Sequence, residues 1–378
     1  MLFPSFKSLA LEEILLITLI VFTLFKITLN FLRLGKLAFY KKKQQQTFTP
    51  PVSVIICARN EGENLTRFLP NILTQDYDQF EVIVVNDCSY DNTDDVLREF
   101  SKVFPNLKAI TVKEDEYYKH GKKFALMVGI KGAKHDYLVL TDADCEPASN
   151  QWLRKMASGF SNGKEIVLGY GAYFKEKGFL NKLIRYDTFL IGLNYLSASL
   201  IRKPYMGVGR NLAYKKDLFF KSKNFSKHYH LISGDDDLFI NQVATKENTS
   251  IVIDHDAITY SIPKKNWKDW KMQKARHLTT ASHYKPGTRS NLGFNLVMPV
   301  IMNIMIGICF FFEPLRLTAS IALLLNCLTN FILYTNAAKR LNEKNLVSLF
   351  FIMDVFLFIL YPVFHLKKKI FDSGKWMN

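Results

Sequence analysis

Hydrophobic residues follow two distinct patterns along the chain. Between residues 50 and about 150, short apolar runs alternate with stretches of helical periodicity. The runs are VSVIICA at 52–58, EVIVVN at 81–86, LKAITV at 107–112 and YLVLT at 137–141. Apolar strands that alternate with helices are typical of a parallel sheet covered by helices on both faces. The predicted fold class is therefore α/β, with ligands bound outside the carboxyl ends of the strands.

Long uncharged runs near both ends of the chain form the second pattern. Residues 14–25 carry no charge, and the apolar stretch continues past Lys26 to residue 32. Near the other end, residues 290–312 and 317–338 are also uncharged, and only a short break separates them. Because a helix needs ~20 apolar residues to cross the hydrocarbon core, these runs predict three transmembrane helices, the last two as a hairpin. For the first run, a helix that lies in the membrane interface is the alternative.

A fourth apolar segment, residues 345–366, is weakened as a spanning candidate by Asp354 and Pro362. Arg33 and the lysines at 41–43 follow the first span, which predicts a cytoplasmic location for the polar domain. If the fourth segment crossed the membrane, the lysine-rich tail after it would lie on the opposite side, against the same rule. Its topology stays open between spanning, re-entrant and interfacial.

Composition narrows the class of protein. The 378 residues include 50 Lys and Arg against 34 Asp and Glu, a formal net charge of +16, and 48% are hydrophobic. So many apolar and aromatic residues exclude an intrinsically disordered chain. The five cysteines form no CxxC pair, which argues against a disulfide framework or a zinc site. The positive charge alone would also fit a catalytically silent protein that binds an anionic membrane surface or nucleic acid.

Polar side chains follow three of the predicted strands. Asn60 and Glu61 follow the first strand, Asp87 ends the second, and Asp142 and Asp144 follow the fourth. Two carboxylates separated by one residue can hold a hard cation, and a divalent ion so held can bridge a diphosphate. A lone D-x-D is more often a solvated turn, but this one follows a buried strand and has another aspartate at a neighbouring strand end. The pattern therefore predicts a nucleoside-diphosphate site with Mg²⁺ or Mn²⁺.

Several motifs occur in a fixed order along the polar domain. They are Asn60-Glu61, the D-x-S-x-D-x-T pattern of Asp87, Ser89, Asp91 and Thr93, Gly121-Lys122, Asp142-Ala143-Asp144, Gly209-Arg210-Asn211-Leu212-Ala213-Tyr214, Gly234-Asp235-Asp236 and Gln273-Lys274-Ala275-Arg276-His277. Together they resemble the motifs of family 2 glycosyltransferases, and in particular those of membrane-embedded cellulose and hyaluronan synthases. His277 stands where the last motif has Trp, and Asp235 stands where Glu is common. The resemblance implies a GT-A fold, a Rossmann-like mixed sheet domain inserted between transmembrane helices.

The resemblance also implies a reaction. It is the inverting transfer of a sugar from a nucleoside-diphosphate sugar, with uridine as the default base, to a lipid-linked or polysaccharide acceptor, as in a hexosyltransferase of cell envelope polysaccharide synthesis. Asp236 matches the catalytic aspartate of the family, and Asp235 is the alternative because three consecutive aspartates leave the register open by one. The variant Q-x-x-R-H motif and the short C-terminal membrane region favour a single transfer over processive synthesis.

Further site residues follow from the same resemblance and from the charge of the leaving group. Lys122 and Arg276, with a metal on Asp142 and Asp144, would neutralise the departing diphosphate. The residues expected to bind the nucleotide-sugar are Ala58, Asn60, Glu61, Asp87, Lys122, Asp142, Ala143 and Asp144. The residues expected to contact the diphosphate or the acceptor are Gln273, Arg276, His277, Arg210 and Asn211.

The patterns divide the chain into six predicted regions. They are an N-terminal transmembrane anchor (1–34), a basic linker (35–50), the nucleotide-sugar-binding half of a GT-A domain (51–150), an acceptor-binding and catalytic half with interfacial helices (151–289), a C-terminal transmembrane region (290–366) and a basic tail (367–378). The expected location is a membrane, most simply the bacterial inner membrane, with membrane lipids but not nucleic acid as partners. Among enzymes, the alternative hypothesis is a nucleotidyltransferase on a related fold.

Overall fold

The computed structural model of the chain describes residues 10–41, 48–114, 121–222 and 233–367. The first half contains α1 (Leu11–Arg33), α2 (Gly35–Ala38), β1 (Val52–Ala58), α3 (Gly62–Leu73), β2 (Phe80–Asp87), α4 (Thr93–Val103), β3 (Leu107–Val112), α5 (Lys122–Gly132), β4 (Tyr137–Leu140), β5 (Cys145–Pro147) and α6 (Trp152–Ser158). The second half contains β6 (Ile166–Leu168), β7 (Gly171–Tyr173), α7 (Phe179–Leu200), β8 (Leu212–Lys215), α8 (Lys216–Lys221), α9 (Asp237–Val243), β9 (Thr249–Ile251), β10 (Thr259–Ser261), α10 (Trp267–Leu278), α11 (Pro286–Phe310), α12 (Arg316–Arg340) and α13 (Phe350–Lys367).

Seven strands form one mixed sheet in the order β3-β2-β1-β4-β8-β6-β9. β1 pairs in parallel with β2 and β4, and β2 pairs in parallel with β3, whereas β8 runs antiparallel to β4 and β6. A second sheet of three strands has the order β5-β10-β7. The α/β class, the mixed sheet and the four strands expected in the first half are thereby confirmed.

The parallel pairing brings the ends of β1, β2 and β4 to one edge of the sheet. Directly after β1 and β2, Asn60 and Cys88 take left-handed backbone conformations, with φ angles of 55° and 54°. Such conformations are uncommon outside glycine and occur mostly at sharp turns. The backbone therefore turns sharply after β1 and after β2, and the residues that follow each strand stay close to the carboxyl edge of the sheet.

Three helices among the described residues, α1, α11 and α12, are long and apolar enough to cross a membrane. This agrees with the three long apolar runs of the sequence. Leu19, Met302 and Ala319 are buried where these helices meet, and most of the remaining surface is exposed and apolar. Lys26 of α1 is also buried. The fourth apolar segment forms the shorter helix α13, which packs along the polar domain through α7 and α10.

Candidate active site

Lys122, the first residue of α5, lies between two acidic groups. Its Nζ is 2.8 Å from Asp142 Oδ1 and 3.4 Å from Asp235 Oδ2. Burial alone would lower the pKa of Lys122, but the two carboxylates outweigh it and raise that pKa well above its usual value. Burial would likewise raise the pKa of Asp142, but the adjacent Lys122 ammonium reverses this and lowers it. The ammonium and the Asp142 carboxylate are therefore both charged at neutral pH.

Asp142 and Asp144 form the candidate metal site on the loop between β4 and β5. Potential ligand atoms of Asp142, Asp144 and Cys145 lie within 4.8 Å of one another. Burial and the charge of Asp142 raise the pKa of Asp144, whose Oδ2 accepts a hydrogen bond of 2.9 Å from Ser261 of β10. Burial also raises the pKa of Cys145, so its thiol stays protonated and is a poor ligand for a hard cation. The two half-buried carboxylates fit a divalent cation with oxygen preference, which would relieve their mutual repulsion.

Asp236 lies just before α9, and two backbone N–H groups hold its carboxylate. Its Oδ2 accepts from Gly209 and its Oδ1 from Asp237, each at 2.7 Å. Burial, with the neighbouring charges of Asp235 and Asp237, raises the pKa of Asp236 to about 7. A carboxylate with a pKa near neutrality is suited to general base catalysis at the same pH.

The three consecutive aspartates have different surroundings. Asp235 pairs with Lys122, whereas Asp237 accepts hydrogen bonds from Thr280 and, at 2.8 Å, from the hydroxyl of Tyr284. Lys122 therefore neutralises the first carboxylate, and the segment between α10 and α11 engages the third. These environments favour Asp236 over Asp235 as the base.

The loops after β1 and β2 are joined by hydrogen bonds from backbone to side chain. Three successive N–H groups after β1 donate to three residues of the D-x-S-x-D-x-T pattern. The pairs are Asn60 with Ser89 (2.9 Å), Glu61 with Thr93 (3.0 Å) and Gly62 with Asp91 (3.0 Å). These three side chains of the motif therefore fix the shape of the loop after β1.

That loop presents Glu61 toward the paired carboxylates. Burial raises the pKa of Glu61 to about 7 against the effect of a hydrogen bond from Asn64, and the charges of Asp144 and Asp142 add to the rise. The Asn60 side chain instead accepts from the backbone N–H of Tyr90 at 2.8 Å. The other donor-site candidates near these loops, Ala58, Asp87 and Ala143, are buried.

Arg210 is held in place by β7. Its guanidinium lies 4.2 Å from the ring centroid of Tyr173 and donates to the carbonyls of Gly171 (3.1 Å) and Ala172 (3.2 Å). Gln273 of α10 donates to the Tyr173 hydroxyl at 3.2 Å. Tyr173 thus joins two predicted site residues, and it is a residue that sequence reasoning missed because β7 is too short to show a periodic pattern.

Arg276 and His277 lie one turn farther along α10. Arg276 Nη2 is 3.4 Å from His277 Nε2, and the charge of Arg276 contributes to the lowered pKa of Asp142, which places α10 beside the paired carboxylates. The imidazole of His277 is solvent-accessible, although many protein atoms surround it. Desolvation there, with the positive charges of Arg276 and Lys274, lowers the pKa of His277 well below its usual value. His277 is therefore neutral at physiological pH.

Asn211 does not reach the cleft. Its side chain is wholly buried, with Oδ1 accepting from the Trp152 indole at 3.0 Å and Nδ2 donating to the carbonyls of Tyr170 (2.9 Å) and Ala257 (2.7 Å). Because both polar atoms of the Asn211 side chain bond other protein groups, neither is available to contact the diphosphate or the acceptor, contrary to the expectation from the sequence. Its geometry is that of a positioning residue that fixes the segment carrying Arg210.

Comparison with known proteins gives consistent matches. Residues 53–233 match the family model Glycosyl transferase family 2. Glycosyltransferase AglE of Haloferax volcanii is 32% identical over 211 residues, which cover 55% of this chain and 66% of that protein. A poly-β-1,6-N-acetyl-D-glucosamine synthase of Staphylococcus epidermidis is 32% identical over 110 residues, 29% of this chain and 25% of that protein. The matched stretches thus span less than two thirds of the length of each relative.

A similar solved structure is mannosyltransferase PcManGT from Pyrobaculum calidifontis in complex with GDP-Man and Mn²⁺. The two chains superpose with a TM-score of 0.57 at 18% identity, over 96% of this chain and 100% of that one. At this identity the likeness concerns the fold, which is GT-A. The polar domain of this chain therefore has the GT-A fold and belongs to glycosyltransferase family 2.

Proposed function

We propose that the chain is a membrane-bound inverting glycosyltransferase that uses a nucleoside-diphosphate sugar and a divalent cation. One observation carries the proposal. Lys122 joins Asp142 of the D-x-D pair to Asp235, which is adjacent to the candidate base. A donor-binding group and a proton-accepting group are thereby set side by side in one cleft, as a displacement reaction requires.

The donor would bind at the carboxyl edge of the sheet. Asp142 and Asp144 would hold Mg²⁺ or Mn²⁺, which when bound supplies charge neutralisation for the leaving diphosphate. Lys122, Arg210 and Arg276 add fixed positive charge around the same position. The solved structure of PcManGT contains GDP-Man and Mn²⁺, which supports a metal-bound nucleotide-sugar here. Asn60, Glu61 and Asp87 would line the nucleoside side of the cleft.

The acceptor would approach from the side of Asp236. Its carboxylate would accept the proton of the attacking hydroxyl, a contribution of ~10²- to 10⁴-fold in rate. Because the nucleophile and the diphosphate would lie on opposite faces of the sugar, direct displacement would invert the anomeric centre. Neutral His277 and Gln273 would contact the acceptor without adding charge.

A lipid-linked acceptor fits the position of the cleft. Asp237, next to the candidate base, bonds Tyr284, and α11 begins two residues later at Pro286. An acceptor anchored in the bilayer would therefore meet the base close to the membrane surface. A saccharide acceptor is the alternative, supported by the poly-β-1,6-N-acetyl-D-glucosamine synthase among the relatives. We assign residues 51–150 to donor binding, residues 151–289 to acceptor binding and catalysis, and the domain to the cytoplasmic face.

The test is a transfer assay with full-length protein in lipid nanodiscs. UDP- and GDP-sugars would be supplied in turn with Mn²⁺ and a lipid extract, and the nucleotide product would be separated by chromatography. Release of a nucleoside diphosphate with sugar appearing in the lipid fraction supports the proposal. In a parallel reaction with a nucleoside triphosphate and a sugar 1-phosphate, release of pyrophosphate would instead identify a nucleotidyltransferase. No product and no nucleotide binding from folded protein would favour a silent membrane-surface protein.

A further inference from the structure

Helix α13 has two faces of different character. The inner face carries Phe350, Met353, Leu357 and Phe364 at helical spacing, and all four are buried. The outer face carries six aliphatic or aromatic side chains with exposed fractions between 41% and 63%. They are Phe351, Ile352, Val355, Phe356, Phe358 and Ile359.

The inner face follows the polar domain along the length of the helix. Near its start, Asp354 accepts a hydrogen bond of 2.7 Å from the hydroxyl of Tyr186, and near its end the hydroxyl of Tyr361 donates to Asp187 at 2.6 Å. The ring of Phe364 lies 5.5 Å from that of Trp270 in α10. A helix of this length that crossed the membrane would separate its two ends by ~25 Å along the membrane normal, since each residue rises ~1.5 Å. Both ends of α13 instead stay on the domain.

The start of α13 lies beside the domain-facing end of α12. The ring of Phe350 is 5.8 Å from that of Tyr334 and 6.1 Å from that of Phe331. Near the end of α12, the carbonyl of Lys339 contacts the imidazole of His255 in the polar domain at 3.1 Å. Phe331 is exposed, and the ring of the exposed Phe351 lies 4.0 Å from that of Phe350, so the outer face of α13 begins beside the exposed apolar surface of α12.

We propose that α13 lies in the plane of the membrane, with its outer face seated among the acyl chains of the leaflet next to the polar domain. None of the six described side chains of the outer face is charged, and monomeric proteins rarely leave so large an apolar patch in water. Asp354 and Tyr361, two polar residues of the helix, face the domain and form hydrogen bonds with it. A surface helix in water has its polar residues outward and its apolar residues toward the protein. In α13 the outward residues are apolar, which fits contact with lipid.

This placement also resolves a conflict in the distribution of charge. If α13 crossed the membrane, the lysines at 367–369 in the sequence would lie opposite the polar domain. With α13 in the plane of one leaflet, Lys367 at its end falls on the same side as Arg33 and Lys36, as the positive-inside rule requires. The proposal concerns the membrane surface alone and does not depend on the proposed transferase activity.

Depth measurement by spin labelling tests the proposal. Single nitroxide labels at Ile352→Cys and Ile359→Cys, in full-length protein whose native cysteines are replaced, would be measured in liposomes. Their accessibility to oxygen, which concentrates in lipid, and to a water-soluble nickel chelate gives depth. Leu324→Cys, on the exposed face of α12, provides a reference within the membrane, and Glu99→Cys, on the exposed face of α4, provides a reference in water. A cooperative thermal unfolding transition, followed by circular dichroism, reports that the domain of each variant is folded.

The proposal predicts high oxygen access, low nickel access and the same depth at both positions. A spanning helix would give depths that differ by ~10 Å, because seven residues separate the labels. Low access to both reagents would mean that a second copy or another protein covers the face, and high nickel access would mean that water does. Each of these three results would overturn the proposal.

Discussion

Replacement of Asp236 by Asn separates the structural role of this carboxylate from its chemical one. Its two oxygens each accept a backbone N–H at 2.7 Å, from Gly209 and from Asp237. An asparagine side chain offers only one acceptor atom, so one buried N–H group would lose its partner. Such a loss costs ~1–3 kcal/mol. We therefore expect the free energy of unfolding of Asp236→Asn to fall by about that amount, measured by thermal unfolding in detergent.

The effect on rate should be larger. If Asp236 is the general base, its removal should lower the single-turnover rate by ~10²- to 10⁴-fold, equivalent to about 3–5 kcal/mol of activation free energy. The affinity for the nucleoside diphosphate should change little, because Lys122, Asp142 and Asp144 remain. The rate would be measured as nucleoside diphosphate released at saturating donor, and the affinity by calorimetry.

Two further variants make the result decisive. Asp237→Asn perturbs a neighbouring buried carboxylate that is bonded to Thr280 and Tyr284, so it should lose stability while keeping most of the rate. Asp235→Asn removes a partner of Lys122 and should weaken donor binding. If Asp236→Asn keeps a rate within tenfold of the wild type while Asp235→Asn abolishes transfer, the assignment of the base to Asp236 is wrong.

Three further predictions follow from the charges. The pKa of Asp236 is about 7 and the base must be deprotonated, so the rate at saturating donor should increase as the pH is raised from below 7 to above 7. A rate that does not change over this pH range would contradict the assignment. Arg185→Met leaves the Glu343 carboxylate buried without its ion-pair partner, so unfolding should become easier by ~3–5 kcal/mol, with recovery in a double variant that also carries Glu343→Leu. Lys122→Gln should weaken nucleotide binding by ~10-fold or more in calorimetry, whereas Lys131→Gln, farther along the same helix, should not.

The first half of the domain was predictable from the sequence for a physical reason. β1, β2 and β4 are covered on both faces, so they read as continuous apolar runs bounded by helices. Parallel strands end at a common edge, which is why the sequence alone predicts that Asp142 and Glu61 lie close together. The three long apolar helices were visible for a similar reason, since lipid imposes length and composition together.

The second half could not be predicted to the same extent. β6, β7, β9 and β10 have three residues each, too few to show alternation. Their pairing joins residues that are far apart in sequence, so the place of Tyr173 under Arg210 depends on the finished fold. The sequence also does not show whether a motif side chain contacts a ligand or the protein itself. Ser89 bonds the backbone and Asn211 bonds the core, yet each has the same residue type that would contact a ligand.

The topology of the last apolar segment shows a further limit of hydropathy. α13 and α11 are both strongly apolar, but Asp354 and Tyr361 bond Tyr186 and Asp187 of α7 and hold α13 on the domain. Hydropathy records the residue types and carries no information on these partners.

Metal-dependent nucleotide binding tests the central claim most directly. The purified chain in detergent would be titrated with UDP, GDP, CDP and dTDP, with and without Mn²⁺, beside Asp142→Asn and the surface control Glu99→Gln. The donor site described here predicts that one nucleotide binds only with Mn²⁺, that Asp142→Asn abolishes this binding, and that Glu99→Gln preserves it. Folded wild-type protein that binds none of the four nucleotides, or an Asp142→Asn variant that binds as tightly as the wild type, would contradict it.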